Sequence, residues 1–295
     1  MAVSLNAVAA LAAAAAVIAG CATNPVTGKK ELMLVGEGTE LSIGEKNYAP
    51  MRQAEGGDYQ MDPGLTSYVQ KVGNRLAAVS DRKLPYEFVV LNNSIPNAWA
   101  LPGGKIAVNR GLLTQLGSES ELAAVLGHEI VHAAARHSAQ QMSRGMIVQG
   151  GLLAAQVAAS DSDYGNLYMA GAGLGAQLVM QRYSREAELE SDRYGIEYMQ
   201  RAGYDVQGAV TLQETFVKLS ADRNSSWFEG LFASHPPSQE RVEANRRHAA
   251  KYPPGGEVGA EAFAAAMKQT KQWKPAYDAY DAGRKALSGK RADVA

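Results

Sequence analysis

Two histidines four residues apart constrain this chain more than anything else in it. His128 and His132 stand in Gly127-His128-Glu129-Ile130-Val131-His132, an HExxH pattern. On a helix, side chains four apart lie one turn apart on one face. Two imidazoles so placed can hold one metal ion at about 2.0–2.1 Å each. Glu129 flanks them, within reach of a water on that metal whose proton it can take. The surrounding residues supply the helix. Ser118 and Glu121 have the spacing of a capping box, and Leu122, Ala123, Ala124, Val125 and Leu126, mostly good helix formers, follow. Val125, His128, His132 and Ala135 fall on one stripe. Gly127 removes a side chain beside the first histidine, which leaves room for another backbone to approach.

A catalytic zinc site takes three protein ligands and leaves the fourth position for water. The third ligand is sought in Ser184-Arg185-Glu186-Ala187-Glu188-Leu189-Glu190-Ser191-Asp192. Glu186, Glu188 and Glu190 compete for the place. Glu188 and Asp192 share a helix face one turn apart, so one can bind the metal while the other orients a ligand histidine through its second ring nitrogen. Glu186 and Glu190 form a second such pair, and no acidic residue lies four after Glu190. A charged helix face making contacts with Arg185 and Arg193 would show the same run.

HEIVH followed by the ExxxD pattern of Glu188 to Asp192 resembles the zinc metallopeptidases of the HtpX and CAAX prenyl protease type. Asn97-Ala-Trp-Ala-Leu-Pro-Gly-Gly104, Asn109-Arg-Gly-Leu-Leu113 and Ser234-His-Pro-Pro-Ser238 agree with it, and the likeness extends from about Cys21 to about Arg246. The periplasmic lipoprotein members are the most similar. The resemblance implies an α+β, mainly helical, zincin-like domain with a small sheet whose edge strand lines the cleft. It implies one Zn2+ per chain held by His128, His132 and Glu188, with Asp192 on a ligand histidine and Glu129 as general base. It also implies that Asn97, Ala98, Trp99 and Ala100 bind substrate as an added strand. His235 has two readings: a donor to the oxyanion, or a fourth zinc ligand that keeps the enzyme shut. The two prolines after it stiffen the loop that presents it.

Cys21 is the only cysteine, so no internal disulfide forms. Residues 2–20 are apolar or small and end in Ile18-Ala19-Gly20-Cys21. They read as a signal peptide with a lipobox, cut before a lipidated Cys21. No Lys or Arg precedes the apolar stretch, and an uncut N-terminal anchor of that length could just span a bilayer. Ala22 after the cysteine resembles the family's sorting to the outer membrane. The expected organisation is a signal peptide over 1–20, a zinc metallopeptidase domain over 21–252 and a helical tail over 253–295. With a net charge of −1 and no basic run, nothing points to nucleic acid.

Further along, Glu31–Val35 reads as an edge strand, and Glu37–Met51 as a helix that Pro50 ends. Asp62-Pro63 opens a helix with a stripe at Leu65, Tyr68, Val69, Val72 and Leu76. Tyr86–Leu91 reads as a strand, and Ala98–Leu101 with Lys105–Val108 as a hairpin. The Gly-, Ala- and Met-rich stretch 138–181 reads as a mobile helical hairpin over the cleft or, alternatively, as a membrane-facing patch. The tail is about one helical repeat long, too short for a self-supporting array, and should dock on the catalytic domain.

The function these readings imply is a zinc endopeptidase anchored as a lipoprotein in the bacterial envelope, on the periplasmic face of the outer membrane. It would cleave misfolded or misassembled envelope proteins, with the outer-membrane assembly machinery as a partner. Two rivals remain: a non-proteolytic zinc-containing periplasmic chaperone or assembly factor, and a zinc hydrolase of another polymer such as peptidoglycan.

Overall fold

The computed structural model describes residues 20–159, 182–221 and 229–288. The expected signal segment therefore lies outside the described residues. So does the second half of the expected hairpin over the cleft, from residue 160 to 181. No helix among the described residues is long and apolar enough to cross a membrane.

Past the short helix α3 (Arg110–Leu113), helix α4 (Glu119–Ala134) carries the HExxH pattern through the middle of the molecule, and every residue of it but Glu121 is buried. A helix buried all round must be apolar or hold its polar groups in partners, and α4 does both. The Ser118 hydroxyl accepts from the Glu121 N–H at 3.2 Å, as the capping spacing predicts. The Glu121 carboxylate does not return to Ser118. It accepts from the Gly117 N–H at 2.6 Å, one residue earlier.

Three elements pack around α4 and position its ligands. Helix α2 (Pro63–Ala78) starts where Asp62-Pro63 places it, with Asp62 accepting from the Leu65 N–H at 3.0 Å. It buries Leu65, Val69, Val72 and Leu76. Helix α6 (Arg185–Arg201) begins at Ser184, whose hydroxyl accepts from the Ala187 N–H. It crosses α4 at Gly195 against Gly127. A Cβ on Gly195 would lie 3.1 Å from the His128 nitrogen, so neither helix has room for a side chain there. Helix α7 (Gln207–Ala221) lies against α4 at Gly208, whose Cβ would meet Ser120 at 2.7 Å.

The main sheet has the order β3-β5-β4, with β3 (Glu87–Leu91) parallel to β5 (Lys105–Asn109) and β4 (Ala98–Leu101) antiparallel to it. The expected hairpin is β4–β5, turned by Gly103 and Gly104 at φ +86° and +87°, which only glycine adopts without strain. Strand β4 is an edge. Ala98 and Ala100 belong to the core around α4, whereas Trp99 and Leu101 pack into a second cluster with Val35, Tyr48 and Met142.

The edge strand expected over 31–35 is β2 (Lys30–Leu32), shorter than expected and paired with β1 (Cys21–Thr23) in a two-stranded hairpin of its own. One expectation is corrected. Pro50 does not end its helix. Helix α1 (Glu37–Ala54) continues through it. Pro50 lies on the solvent face, where a carbonyl without a partner can turn to water, and tertiary contacts carry the helix on. Gly44 lies against Pro102, and the Tyr48 ring meets Trp99 edge-on at 6.3 Å.

After α4 the chain turns sharply. Arg136 has φ 63°, a left-handed value uncommon outside glycine. Its guanidinium donates to Glu40 at 2.7 Å and to the Val35 carbonyl at 2.8 Å. Arg82 also bonds Glu40, at 3.0 Å. The turn starts α5 (His137–Ala159) with His137 beneath His132.

Past α7 come α8 (Glu229–Ser234) and α9 (Gln239–Ala249), which is capped by Ser238. The tail helices are α10 (Ala260–Ala266), α11 (Lys268–Gln272) and α12 (Lys274–Ser288). Phe263 and Met267 enter the main core, and the Ser120 N–H donates to the Val258 carbonyl at 3.0 Å. The tail thus docks on α4.

Candidate metal centre

Four of the five histidines of the chain gather at the crossing of α4 and α6. One ligand atom from each of His128, His132, Glu188 and His235 can be chosen so that all lie within 4.8 Å of one another, and all four residues are buried. His128 Nε2 is 3.0 Å from His132 Nε2 and 3.5 Å from Glu188 Oε2. His132 Nε2 is 3.3 Å from Glu188 Oε1. His235 Nδ1 is 3.3 Å from His128 Nε2 and 3.0 Å from Glu188 Oε1. A tetrahedral ion with bonds of about 2.0–2.1 Å needs donor atoms about 3.3–3.4 Å apart. The spacings bracket that value.

The protons agree with the spacing. Asp192 Oδ1 lies 2.9 Å from His128 Nδ1. A carboxylate accepts, so Nδ1 carries the hydrogen and Nε2 turns a bare lone pair to the centre. The atoms that face one another at the centre are imidazole nitrogens and carboxylate oxygens. Glu129 Oε2 and Glu188 Oε2 are buried without a hydrogen-bond partner. Arg241 Nη1 is 2.8 Å from that Glu188 oxygen, off the hydrogen-bonding direction. A divalent cation at the centre satisfies this donor set; an apolar core would not.

The electrostatics point the same way. Burial opposes charge on His128, yet Glu188 and Asp192 outweigh it and push the imidazole up to about 10, so the pocket favours a cation here. Burial holds His132 well below the usual histidine range, hence neutral. Burial also works against the Glu188 anion, but His235, His128 and Arg241 keep its carboxyl well below the carboxylate range. Burial raises the Glu129 carboxyl, and His235, His128 and Arg241 offset it only in part.

The structure brings Glu129 to the same point: its Oε1 is 3.6 Å from His235 Nε2. Among the three glutamates, Glu188 turns inward. Glu186 is exposed, and Glu190 contacts His137 at 3.2 Å instead. Ala98 lines a cavity of about 40 Å³ beside the centre, together with His128, Glu129, Leu212 and Phe216. Trp99 does not reach it; its side chain is core on the other sheet face. Asn97 is half-buried, Ala100 is buried against α4, and Cys21 is exposed at the start of β1.

Three residues at the centre escape sequence reasoning. Arg241 forks onto Asp192 with two bonds of 2.7 Å. In the sequence it is one arginine in a basic helix. The Tyr183 ring stacks on His132 with centroids 3.9 Å apart. His137 Nδ1 lies 2.9 Å from His132 Nδ1. The one signal for His137 was its rarity, five residues after His132.

The sequence profile of peptidase family M48 matches residues 63–249. The beta-barrel assembly-enhancing protease of Escherichia coli is 31% identical over 261 residues, 85% of this chain and 52% of its own length. The metalloprotease YcaL of Escherichia coli is 30% identical over 210 residues, 64% of this chain and 76% of its own. The mitochondrial metalloendopeptidase OMA1 of Schizosaccharomyces pombe is 35% identical over 179 residues, 60% of this chain and 51% of its own. The chain spans about half the length of several of the curated relatives it matches.

Proposed function

The chain belongs to peptidase family M48, and from that premise we propose that it is a zinc-dependent endopeptidase of the bacterial envelope. The observation that carries the reading is the tetrahedral spacing of His128, His132, Glu188 and His235 with Glu129 beside them. Two imidazoles and a carboxylate suit zinc. When bound, zinc supplies Lewis acidity toward the scissile carbonyl and the attacking water. Glu129 would take the proton of the attacking water and return it to the leaving amine. Asp192, clamped by Arg241, holds His128 in the orientation that keeps its Nε2 on the metal.

His235 is the gate in this reading. Its Nδ1 occupies the fourth corner of the donor set, where water must enter, so the resting enzyme is closed. Substrate lies along edge strand β4, from Asn97 to Ala100, with backbone hydrogen bonds supplying affinity and little sequence preference. Such binding suits misfolded or misassembled polypeptides. The relatives named for barrel assembly support envelope quality control, with outer-membrane assembly factors as partners. The exposed Cys21 supports lipid anchoring at the outer membrane.

The test is zinc content and casein digestion, wild type beside Glu129→Gln. The variant should keep its zinc and lose turnover by about 10²–10⁴-fold. A wild type that binds zinc but leaves casein and other unfolded chains intact would favour the chaperone instead.

A further inference from the structure

Beneath the metal centre a line of hydrogen bonds leads out to the N-terminal hairpin, and its proton positions can be assigned from the outer end inward. Asn24 is fully buried in the β1–β2 turn. Its Oδ1 accepts from the N–H groups of Val26 at 2.9 Å and Thr27 at 3.3 Å. That fixes which end of the amide is oxygen, so its Nδ2 must face the other way. Nδ2 donates to Glu31 Oε2 at 3.0 Å and to Glu190 Oε1 at 3.2 Å.

Glu190 Oε1 also lies 3.2 Å from His137 Nε2. A carboxylate only accepts, so Nε2 bears the hydrogen and His137 Nδ1 is bare. His132 Nδ1, 2.9 Å away, must then be the donor. Ser191 Oγ, at 3.4 Å from the same His137 nitrogen, can add a weaker donor. With its hydrogen on Nδ1, His132 presents a bare Nε2 to His128 and Glu188. Reverse the chain and the outcome reverses: a His137 with its hydrogen on Nδ1 would force the His132 hydrogen onto Nε2, directly against the metal.

We infer that the N-terminal hairpin is a working part of the metal centre: Asn24, through Glu190 and His137, sets the tautomer of His132 that can bind the ion. The inference rests on the metalloenzyme reading above. Asn24, Glu190 and His137 are positioning residues in it. Asn24 and the hairpin lie outside residues 63–249, the span of the family profile. It gives Glu190 a role distinct from ligation and gives the Asn24–Gly28 turn a reason for its sequence. Asn24 both closes the turn and reaches the relay.

The experiment is zinc affinity of the full chain by chelator competition, with the thermal melt of each variant recorded beside it. Wild type should bind one zinc tightly. Removing outer partners of metal ligands typically costs about 10–100-fold in affinity, and His137→Leu should fall in that range. Glu190→Ala, at a helical position whose side chain is 16% exposed, should weaken zinc about tenfold while the variant stays folded at the assay temperature. Asn24→Asp keeps the acceptor that closes the turn, loses the donor, and should weaken zinc similarly. Adding Asn24→Asp to His137→Leu should cost nothing more, because the two act through one line. His137→Gln, whose amide oxygen can accept from His132, should recover part of the loss. Zinc affinity within twofold of wild type in Glu190→Ala, or losses that multiply in the double variant, would overturn the inference while leaving the metalloenzyme reading intact. A wild type that binds no zinc would overturn both.

Discussion

At the scale of single residues, His235 separates two chemistries that the centre could run. Its Nδ1 stands 3.0 Å from Glu188 and 3.3 Å from His128, inside the donor set and not beside it. His235→Ala should therefore raise basal casein turnover while zinc stays on the remaining three ligands. A fall of about 10²–10³-fold would instead make it the oxyanion donor. The third ligand is tested by a pair of variants. Glu188→Ala should lower zinc occupancy sharply, since the donor set loses its one carboxylate, whereas exposed Glu186→Ala should bind zinc like wild type. Much of this was legible in the sequence, because the helical period alone puts His128 with His132 and Glu188 with Asp192. His137 was not. It reaches His132 only because Arg136 takes a left-handed turn, and the ion cluster that stabilises the turn comes from Glu40, far away in the chain.

At the scale of elements, the crossing of α4 and α6 decides whether ligands from two helices can share one ion. Gly127 announced a close approach but not its partner; the partner is Gly195, on a helix recognised only by its acidic run. Gly195→Val would drive a branched side chain into the His128 backbone, already 3.1 Å from a bare Cβ. Such overpacking costs about 1–3 kcal/mol. Because the displaced atoms carry a ligand, zinc affinity should fall as well as the melting temperature. A lower melting temperature with wild-type zinc affinity would show that the crossing serves stability alone. The caps at Ser118 and Asp62 were legible because capping is local. The passage of α1 through Pro50 was not, since it depends on Pro102 and Trp99 from the sheet.

For the molecule as a whole, buried Glu40 ties α1 to Arg82 and Arg136 at the corner after α4. Glu40→Gln would leave two buried guanidinium groups short of an anion. Breaking such a network costs about 3–5 kcal/mol, which for a chain of this size lowers the melting temperature by on the order of 10 °C. An unchanged melt would mean that water reaches those arginines. Nothing in the sequence marks Glu40 among the many charged residues of the chain, because its burial depends on three elements meeting. The docked tail was expected from its length, and Phe263 and Met267 supply the contact. The fork of Arg241 on Asp192, with its Nη1 beside Glu188, has a further consequence in the order of synthesis. A chain emerging N-terminus first has its hairpin, its turn at Arg136 and both HExxH histidines long before residue 188. Even with Glu188 out, that carboxylate and Asp192 repel each other until Arg241 follows. In a chain that folds from its N-terminus, the two histidines wait for the carboxylate, and the carboxylate for the arginine, before the donor set is complete.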